Sequence, residues 1–227
     1  MDKSTAKRQR NKTSTSVGAT KTAILDTAER AFATQGLLEV SLRQVAREAG
    51  VDPASITYHY GSKEDVLAAA IARRYEMLRG RRILALNDAL SRTKNKPSAR
   101  DVLDAMFRPW LEYSLSEDPG WRHYSKLIAG MMTTPRITEI IGDLAGVWEH
   151  TQINALRLAH PEANDEQIMR ALTLTLGTSF FFFSETKRID VMSGGRFRAD
   201  DLNHGYPQFL DFVSAGFEAA VKSELGN

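Results

Sequence analysis

The chain contains no cysteine, which excludes disulfide bonds, thiolate nucleophiles and cysteine-ligated zinc. Long apolar runs are also missing. The longest unbroken bulky apolar run is the four phenylalanines at 180–183, far short of the roughly 18 residues that a membrane span needs. The polar, basic N-terminus lacks the apolar segment of a secretory signal. These absences predict a cytoplasmic protein without a membrane partner.

Motifs of the common enzyme classes are absent as well. The chain has no glycine-rich phosphate loop, no His-Glu-x-x-His and no Gly-x-Ser-x-Gly, and its five histidines are scattered. We therefore expect that the protein is not an enzyme, and that it has no catalytic residues, no metal site and no cofactor.

Charge is distributed unevenly along the 227 residues. Residues 1–63 carry 10 lysines and arginines against 6 acidic residues, whereas residues 64–227 carry 20 against 22. The net charge of +2 thus hides a basic first quarter, which suggests a polyanionic partner, although mixed solvated surfaces also arise by chance. Residues 1–20 have almost nothing to bury. We expect a disordered basic arm there, either a solubilising tail or a contact to phosphate or the minor groove.

From Lys21 onward the chain has the periodicity of helices, with apolar residues three or four positions apart. Breaker clusters of proline, glycine and small polar residues divide it, and no segment has the alternation of a strand. The sequence therefore predicts an all-α protein of about nine helices. The first helices form a domain over residues 21–67, and the others form a helical bundle over residues 68–227.

Residues 41–63 contain the start signals of short helices. Ser41 and Gln44 have the spacing of a capping box, and Asp52 followed by proline is the pattern of an N-cap. Two helices of about two turns each, separated by a turn that contains Gly50, must cross steeply. This arrangement predicts a helix-turn-helix.

The apolar positions of the two helices fit such a crossing. Ala46 is small enough for the contact, and Ile56 supplies the branched buried residue of the second helix. The other residues of the second helix are small, polar or aromatic, so it can enter a major groove about 12 Å wide. An ordinary helical hairpin with one exposed face explains the same pattern, so this motif alone leaves both interpretations open.

Residues 56–67 resemble the end of the DNA-binding domain of the tetracycline-repressor (TetR) family of bacterial transcription regulators. Residues 23–32 and the Gly36 turn extend the resemblance over about residues 21–70. The remaining chain resembles the family only in being helical. The resemblance implies a DNA-binding domain, a ligand-binding and dimerisation domain, and a homodimer on a palindromic operator in double-stranded DNA.

The resemblance also implies roles for single residues. Tyr58, His59 and Lys63 match positions against the phosphate backbone, and all three carry donors for phosphate oxygens. Arg43 matches a position that reads a base edge, and arginine suits guanine best. Thr57 replaces the aromatic residue usual in the family, which leaves a base or a thymine methyl as its expected contact. The expected DNA-contacting residues are Ser41, Arg43, Gln44, Pro53, Ala54, Ser55, Thr57, Tyr58, His59 and Lys63.

The C-terminal part of the chain is rich in large, adaptable side chains. Residues 64–227 hold all three tryptophans, nine of ten phenylalanines and six of seven methionines. The helix near residues 99–116 is apolar on two faces, which fits either plain core or the wall of a cavity, with His123 or His150 as a polar anchor. The resemblance implies a small-molecule effector, which we expect to be apolar. The candidate lining residues are Met106, Trp110, Tyr113, Trp121, Met131 and Trp148.

Helices predicted at 165–187 and 206–224 carry more apolar surface than one core absorbs, which predicts a subunit interface. In the family, the last two helices of two chains form a four-helix bundle. A two-fold dimer of this kind would place two recognition helices about 34–36 Å apart, one turn of DNA. The candidate interface residues are Leu172, Leu176, Phe180, Phe183, Phe209, Val213 and Phe217.

The leading hypothesis is a ligand-responsive repressor that binds a palindromic operator as a dimer and is released by an apolar effector. Activation instead of repression also fits. The alternative is an architectural DNA-binding protein with no effector and no sequence preference. Binding restricted to one palindrome favours the first hypothesis, and uniform binding favours the second.

Overall fold

The structure is a computed structural model that describes the backbone of residues 3–131 and 150–223 and the side chains of residues 18–130 and 150–223. All regular secondary structure in these ranges is helical, which confirms the all-α class. None of the described helices is long and apolar enough to cross a membrane. The helices are α1 (Lys3–Gln35), α2 (Leu42–Ala49), α3 (Pro53–Tyr60), α4 (Lys63–Arg92), α5 (Ala99–Ser114), α6 (Gly120–Met131), α7 (150–159), α8 (Asp165–Phe183), α9 (Arg188–Met192) and α10 (Leu202–Lys222).

The chain divides into two compact units, Met1–Arg73 and Arg74–Asn227. The division falls inside α4, a few residues after the domain limit proposed at residue 67. Helix α1 begins at Lys3, within the range expected as a disordered arm. Residues 1–20 include three lysines and two arginines, which tolerate helix, and they contain no proline that would end one.

The N-terminal unit is built on a small apolar core. Helix α1 buries Ile24, Ala28 and Phe32 at four-residue spacing, so one stripe of the helix faces inward. Helix α2 contributes Val45, and α3 contributes Ile56, both fully buried. Each short helix is therefore held by very few inward residues, and the rest of its surface is left for other uses.

The C-terminal unit is packed around aromatic rings. Helix α10 lies against α8 and α5, and α6 lies against α8. The Phe107 and Phe209 rings meet edge-on at 5.3 Å between centroids, and Trp110 stacks on Phe183 at 4.4 Å. Complete capping boxes fix the starts of α5 and α8. The candidates expected to bind a ligand or a second subunit lie on these helices.

Candidate nucleic-acid interface and effector region

The turn between α2 and α3 has the geometry that its sequence predicts. Gly50 takes the left-handed conformation, with φ of 67°, which is strained for other residues. The next amide, of Val51, donates to the Ala46 carbonyl at 3.0 Å. The Asp52 carboxylate then accepts from the Ala54 amide at 2.7 Å, which caps α3. Local hydrogen bonds alone therefore define where α2 ends and where α3 begins.

Helix α3 presents almost all of its surface to solvent. Ile56 is its one buried residue, and the Tyr58 side chain is 85% exposed. The Tyr58 and His59 rings meet edge-on at 5.1 Å between centroids, at the end of the helix. The other expected DNA-contacting residues of α3 are also accessible: Pro53, Ala54 and Thr57 are exposed, and Ser55 and His59 are half-buried.

The start of α2 differs in part from the predicted capping box. Ser41 Oγ accepts from the Gln44 amide at 3.2 Å, as expected. The Gln44 side chain does not return to Ser41. Its Nε2 donates instead to Gln35 Oε1 at 3.1 Å and to Glu48 Oε1 at 2.9 Å. Only half of the capping box therefore forms, because α1 and the next turn of α2 offer acceptors that the sequence spacing does not reveal.

Helix α2 also carries two exposed arginines, Arg43 and Arg47, one turn apart. Neither guanidinium makes a hydrogen bond or ion pair with any residue that the structure describes. The nearby Glu48 carboxylate accepts hydrogen bonds from Gln44 and Arg30, and these bonds hold its pKa below the ordinary value. Arg47 is not among the residues expected to contact DNA, although its four-residue spacing from Arg43 places both on one face.

Lys63 is engaged within the N-terminal unit. Its ammonium donates to the Leu37 carbonyl at 2.8 Å and to the Val40 carbonyl at 3.2 Å. It therefore fastens the turn before α2 to the start of α4. One of its three N–H donors is left for a phosphate oxygen. The sequence offers no sign of this role, because the acceptors are backbone atoms 23 and 26 positions away.

The described candidates for ligand binding form packed core. Trp110 donates from Nε1 to Ser125 Oγ at 2.9 Å, and Tyr113 stacks on Trp121 at 4.0 Å between centroids. Met106 is also buried. These contacts favour the plain-core interpretation for the four residues. The Met131 side chain and Trp148 lie outside the described residues.

The candidates for the subunit interface lie on the expected helices but on the face that packs against the chain's own core. Leu176 and Phe180 are half-buried. The other five candidates are almost fully buried: Leu172, Phe183, Phe209, Val213 and Phe217. The outer faces of α8 and α10 carry different large residues. Among these, Phe181 is 54% and Phe212 is 67% exposed. A half-open apolar groove of about 410 Å³ runs beside these two residues. The interface residues expected from the sequence thus lie mainly on the inner face of these helices, and their part in a subunit contact stays a prediction. The seven residues concerned are Leu172, Leu176, Phe180, Phe183, Phe209, Val213 and Phe217.

Comparison with known families supports the resemblance at both ends of the chain. The family described as bacterial regulatory proteins, tetR family, matches residues 24–70. The family described as tetracyclin repressor-like, C-terminal domain, matches residues 104–216. The two matches together cover α2 and α3 as well as most of the C-terminal unit.

Individual relatives match the N-terminal part. The chain is 35% identical over 86 residues to the HTH-type transcriptional regulator BetI of Rhizobium meliloti (strain 1021), a match that covers 38% of this chain and 39% of BetI. It is 36% identical over 67 residues to the regulator SrpR of Pseudomonas putida, covering 30% of this chain and 32% of SrpR. The matched part thus spans about two fifths or less of these relatives.

Solved structures share the fold over most of the chain. A TetR-family regulator of Streptomyces coelicolor, SCO4454, superposes with a TM-score of 0.57 at 17% identity, over 90% of this chain and 97% of that one. A regulator from Rhodococcus sp. gives a TM-score of 0.55 at 16% identity, over 90% and 100% of the two chains. At these identities the likeness establishes the fold.

Proposed function

The chain belongs to the TetR family of transcription regulators, and we propose that it is a repressor that binds a palindromic operator as a homodimer and leaves it when an effector binds. Membership of this family, whose members are DNA-binding regulators and not enzymes, confirms the prediction that the chain is not an enzyme. A regulator of chromosomal genes acts where the chromosome lies, which supports the expected cytoplasmic location.

The observation that carries the proposal is the exposed surface of α3. This helix is capped by Asp52 at its start, buries Ile56, and leaves most of its outer surface open to solvent. A slim helix of this kind fits the major groove. The residues proposed to face bases are Pro53, Ala54, Ser55, Thr57 and, from α2, Arg43.

The proposed phosphate contacts surround this surface. Tyr58 and His59 lie at the end of α3, Ser41 and Gln44 lie at the start of α2, and Lys63 has one donor left. Arg47 joins this group because it is exposed on the same face as Arg43. Phosphate contacts fix the position of the domain on DNA, whereas the base contacts select the sequence.

We propose that two copies associate through the outer faces of α8 and α10. Leu174, Phe181 and Phe212 are large apolar residues that stay exposed in the single chain, and such patches mark interaction surfaces. A two-fold axis through this surface would present two α3 helices to a palindrome. The effector is proposed to bind the C-terminal unit and to favour a state that fits the operator poorly.

Selection of bound duplexes from random oligonucleotides, followed by titration of the enriched site, tests this proposal. We expect one palindrome, bound by a dimer with a strong salt dependence. Equal affinity for all sequences would instead identify the architectural alternative. A chain that stays monomeric at micromolar concentration would contradict the proposed interface.

A further inference from the structure

Arg82 of α4 is a buried cation in the C-terminal unit. Its side chain is 7% exposed, and its Nε donates to the Met106 carbonyl at 2.8 Å. The guanidinium carbon lies 5.7 Å from the centre of the Trp110 ring. No carboxylate of the described residues lies within ion-pair distance of it. Within the part of the chain that the structure describes, a full positive charge is therefore held in the interior by one carbonyl and one ring face.

The other arginines of α4 show how unusual this is. Arg74, about two turns earlier, is equally buried and lies 5.0 Å from the centre of a tryptophan ring, that of Trp121. Unlike Arg82, it forms an ion pair with Asp118. The four remaining arginines of this helix, Arg73, Arg79, Arg81 and Arg92, also pair with carboxylates. Arg82 is the exception on its helix.

A buried charge without a counterion is costly, since the lost hydration is repaid only in part by a carbonyl and a ring. The cost is reflected in the pKa of Arg82, which burial lowers from its ordinary value although tyrosines 75 and 124 oppose the shift. Arginine nevertheless stays protonated at neutral pH. A buried charge that costs stability and has no counterion among the described residues is a candidate for function.

We propose that Arg82 is the anchor for the anionic group of the effector, so that the regulator responds to organic carboxylates with an apolar body. This inference rests on the proposed function, because it assigns the ligand of the proposed effector site. The planar guanidinium fork matches a carboxylate with two parallel hydrogen bonds. Met106 and Trp110 lie beside the guanidinium in packed core, so the apolar body would take the place of part of that packing. The effector is then amphipathic, with a charged group added to the apolar body that the sequence leads us to expect.

The first experiment needs no ligand. Arg82→Met removes the charge and keeps most of the side-chain volume, and Arg74→Met does the same beside Asp118. We expect the Tm of the Arg82 variant to stay unchanged or to rise by about 2–4 °C, because an uncompensated charge is lost. The Arg74 variant should melt lower than the parent, because its ion pair breaks.

A fall in Tm for Arg82→Met as large as that for Arg74→Met would overturn the proposal. That result would mean that an internal carboxylate compensates Arg82.

The second experiment compares acids with their neutral amides on the full chain. Decanoate and 1-naphthoate should each raise Tm by about 5–10 °C at a concentration 100-fold above Kd. Decanamide and 1-naphthamide, which have the same apolar bodies, should give no shift at that concentration. Arg82→Met should abolish the response to the acids, and Arg82→Lys should keep part of it. Arg81→Met is the matched control, because Arg81 is exposed and paired with Glu112, and it should respond like the parent.

Equal shifts with acids and amides, no shift with either acid, or an unchanged response of Arg82→Met would each overturn the proposal. Failure of the proposed function is read separately, from the selected oligonucleotides. If one palindrome is bound normally but acids give no Tm shift, the proposed repressor stands and the proposed role of Arg82 is overturned. If acids but not amides shift Tm and no palindrome is preferred, the role of Arg82 stands and the proposed repressor is overturned.

Discussion

The two units of the chain differ in how their candidate residues are used. In the N-terminal unit, the residues expected to contact DNA stay accessible on α2 and α3. In the C-terminal unit, the residues expected to hold a ligand or a partner are packed among themselves, as Trp110 is on Phe183. Exposed polar residues on short capped helices therefore indicate function more directly than apolar residues do, because an apolar residue serves core, cavity and interface equally well.

The largest expected effect separates core from interface on α8. Phe183→Ala removes a buried ring that contacts Phe107 and Trp110, and it should destabilise the fold by about 3–5 kcal/mol. Phe181→Ala, two positions away on the exposed side, should change unfolding by less than about 1 kcal/mol and weaken dimerisation. Denaturant unfolding and sedimentation measure the two effects. If Phe183→Ala weakened dimerisation without destabilising the monomer, Phe183 would belong to the subunit interface and not to the core.

A smaller effect is expected at the base-reading surface of the N-terminal unit. Arg43→Ala should relax the preference at one base pair of each half-site, at a cost of about 1–3 kcal/mol. Its side chain has no partner among the described residues, so folding should be unaffected. Titration of the selected operator and of its single-base variants measures this. Equal weakening on every sequence would show that Arg43 contacts phosphate instead.

The smallest effect is expected for Lys63, which bonds within the N-terminal unit and is also a proposed phosphate contact. Lys63→Met should cost about 0.5–1.5 kcal/mol of folding free energy, since two backbone carbonyls lose their donor. Binding should weaken by about the same factor on every DNA sequence. The slope of log K against log salt concentration should fall in magnitude by at most about 1. Arg47→Ala is a suitable counterpart, because it should reduce the salt slope without changing the unfolding midpoint. Unchanged unfolding of Lys63→Met would mean that the carbonyl contacts contribute nothing.

Sequence reasoning succeeded where the chemistry is local. The ends of α2 and α3 follow from Ser41, Gly50 and Asp52, which act on atoms a few positions away. It failed where distant parts of the chain meet. The acceptors of Lys63 and the second partner of Gln44 belong to residues that only folding brings near.

Apolar periodicity cannot orient α8, because this helix is apolar on nearly every side. A helix of this kind gives no signal for which side faces the core. Burial of Phe183 and exposure of Phe181 are settled by α10 and α5, which pack on one side of it. The same limit applies to Arg82, because whether it has a counterion among the described residues depends on where each carboxylate of the unit lies.

The small number of inward side chains on α3 has a consequence for specificity. Since Ile56 and the half-buried Tyr60 hold the helix from within, exchanges at Pro53, Ala54 or Thr57 disturb little of the scaffold. New target sites can therefore be acquired by drift at a few outward positions while the architecture persists. The same property makes these positions the natural ones to randomise when retargeting the regulator to a chosen promoter.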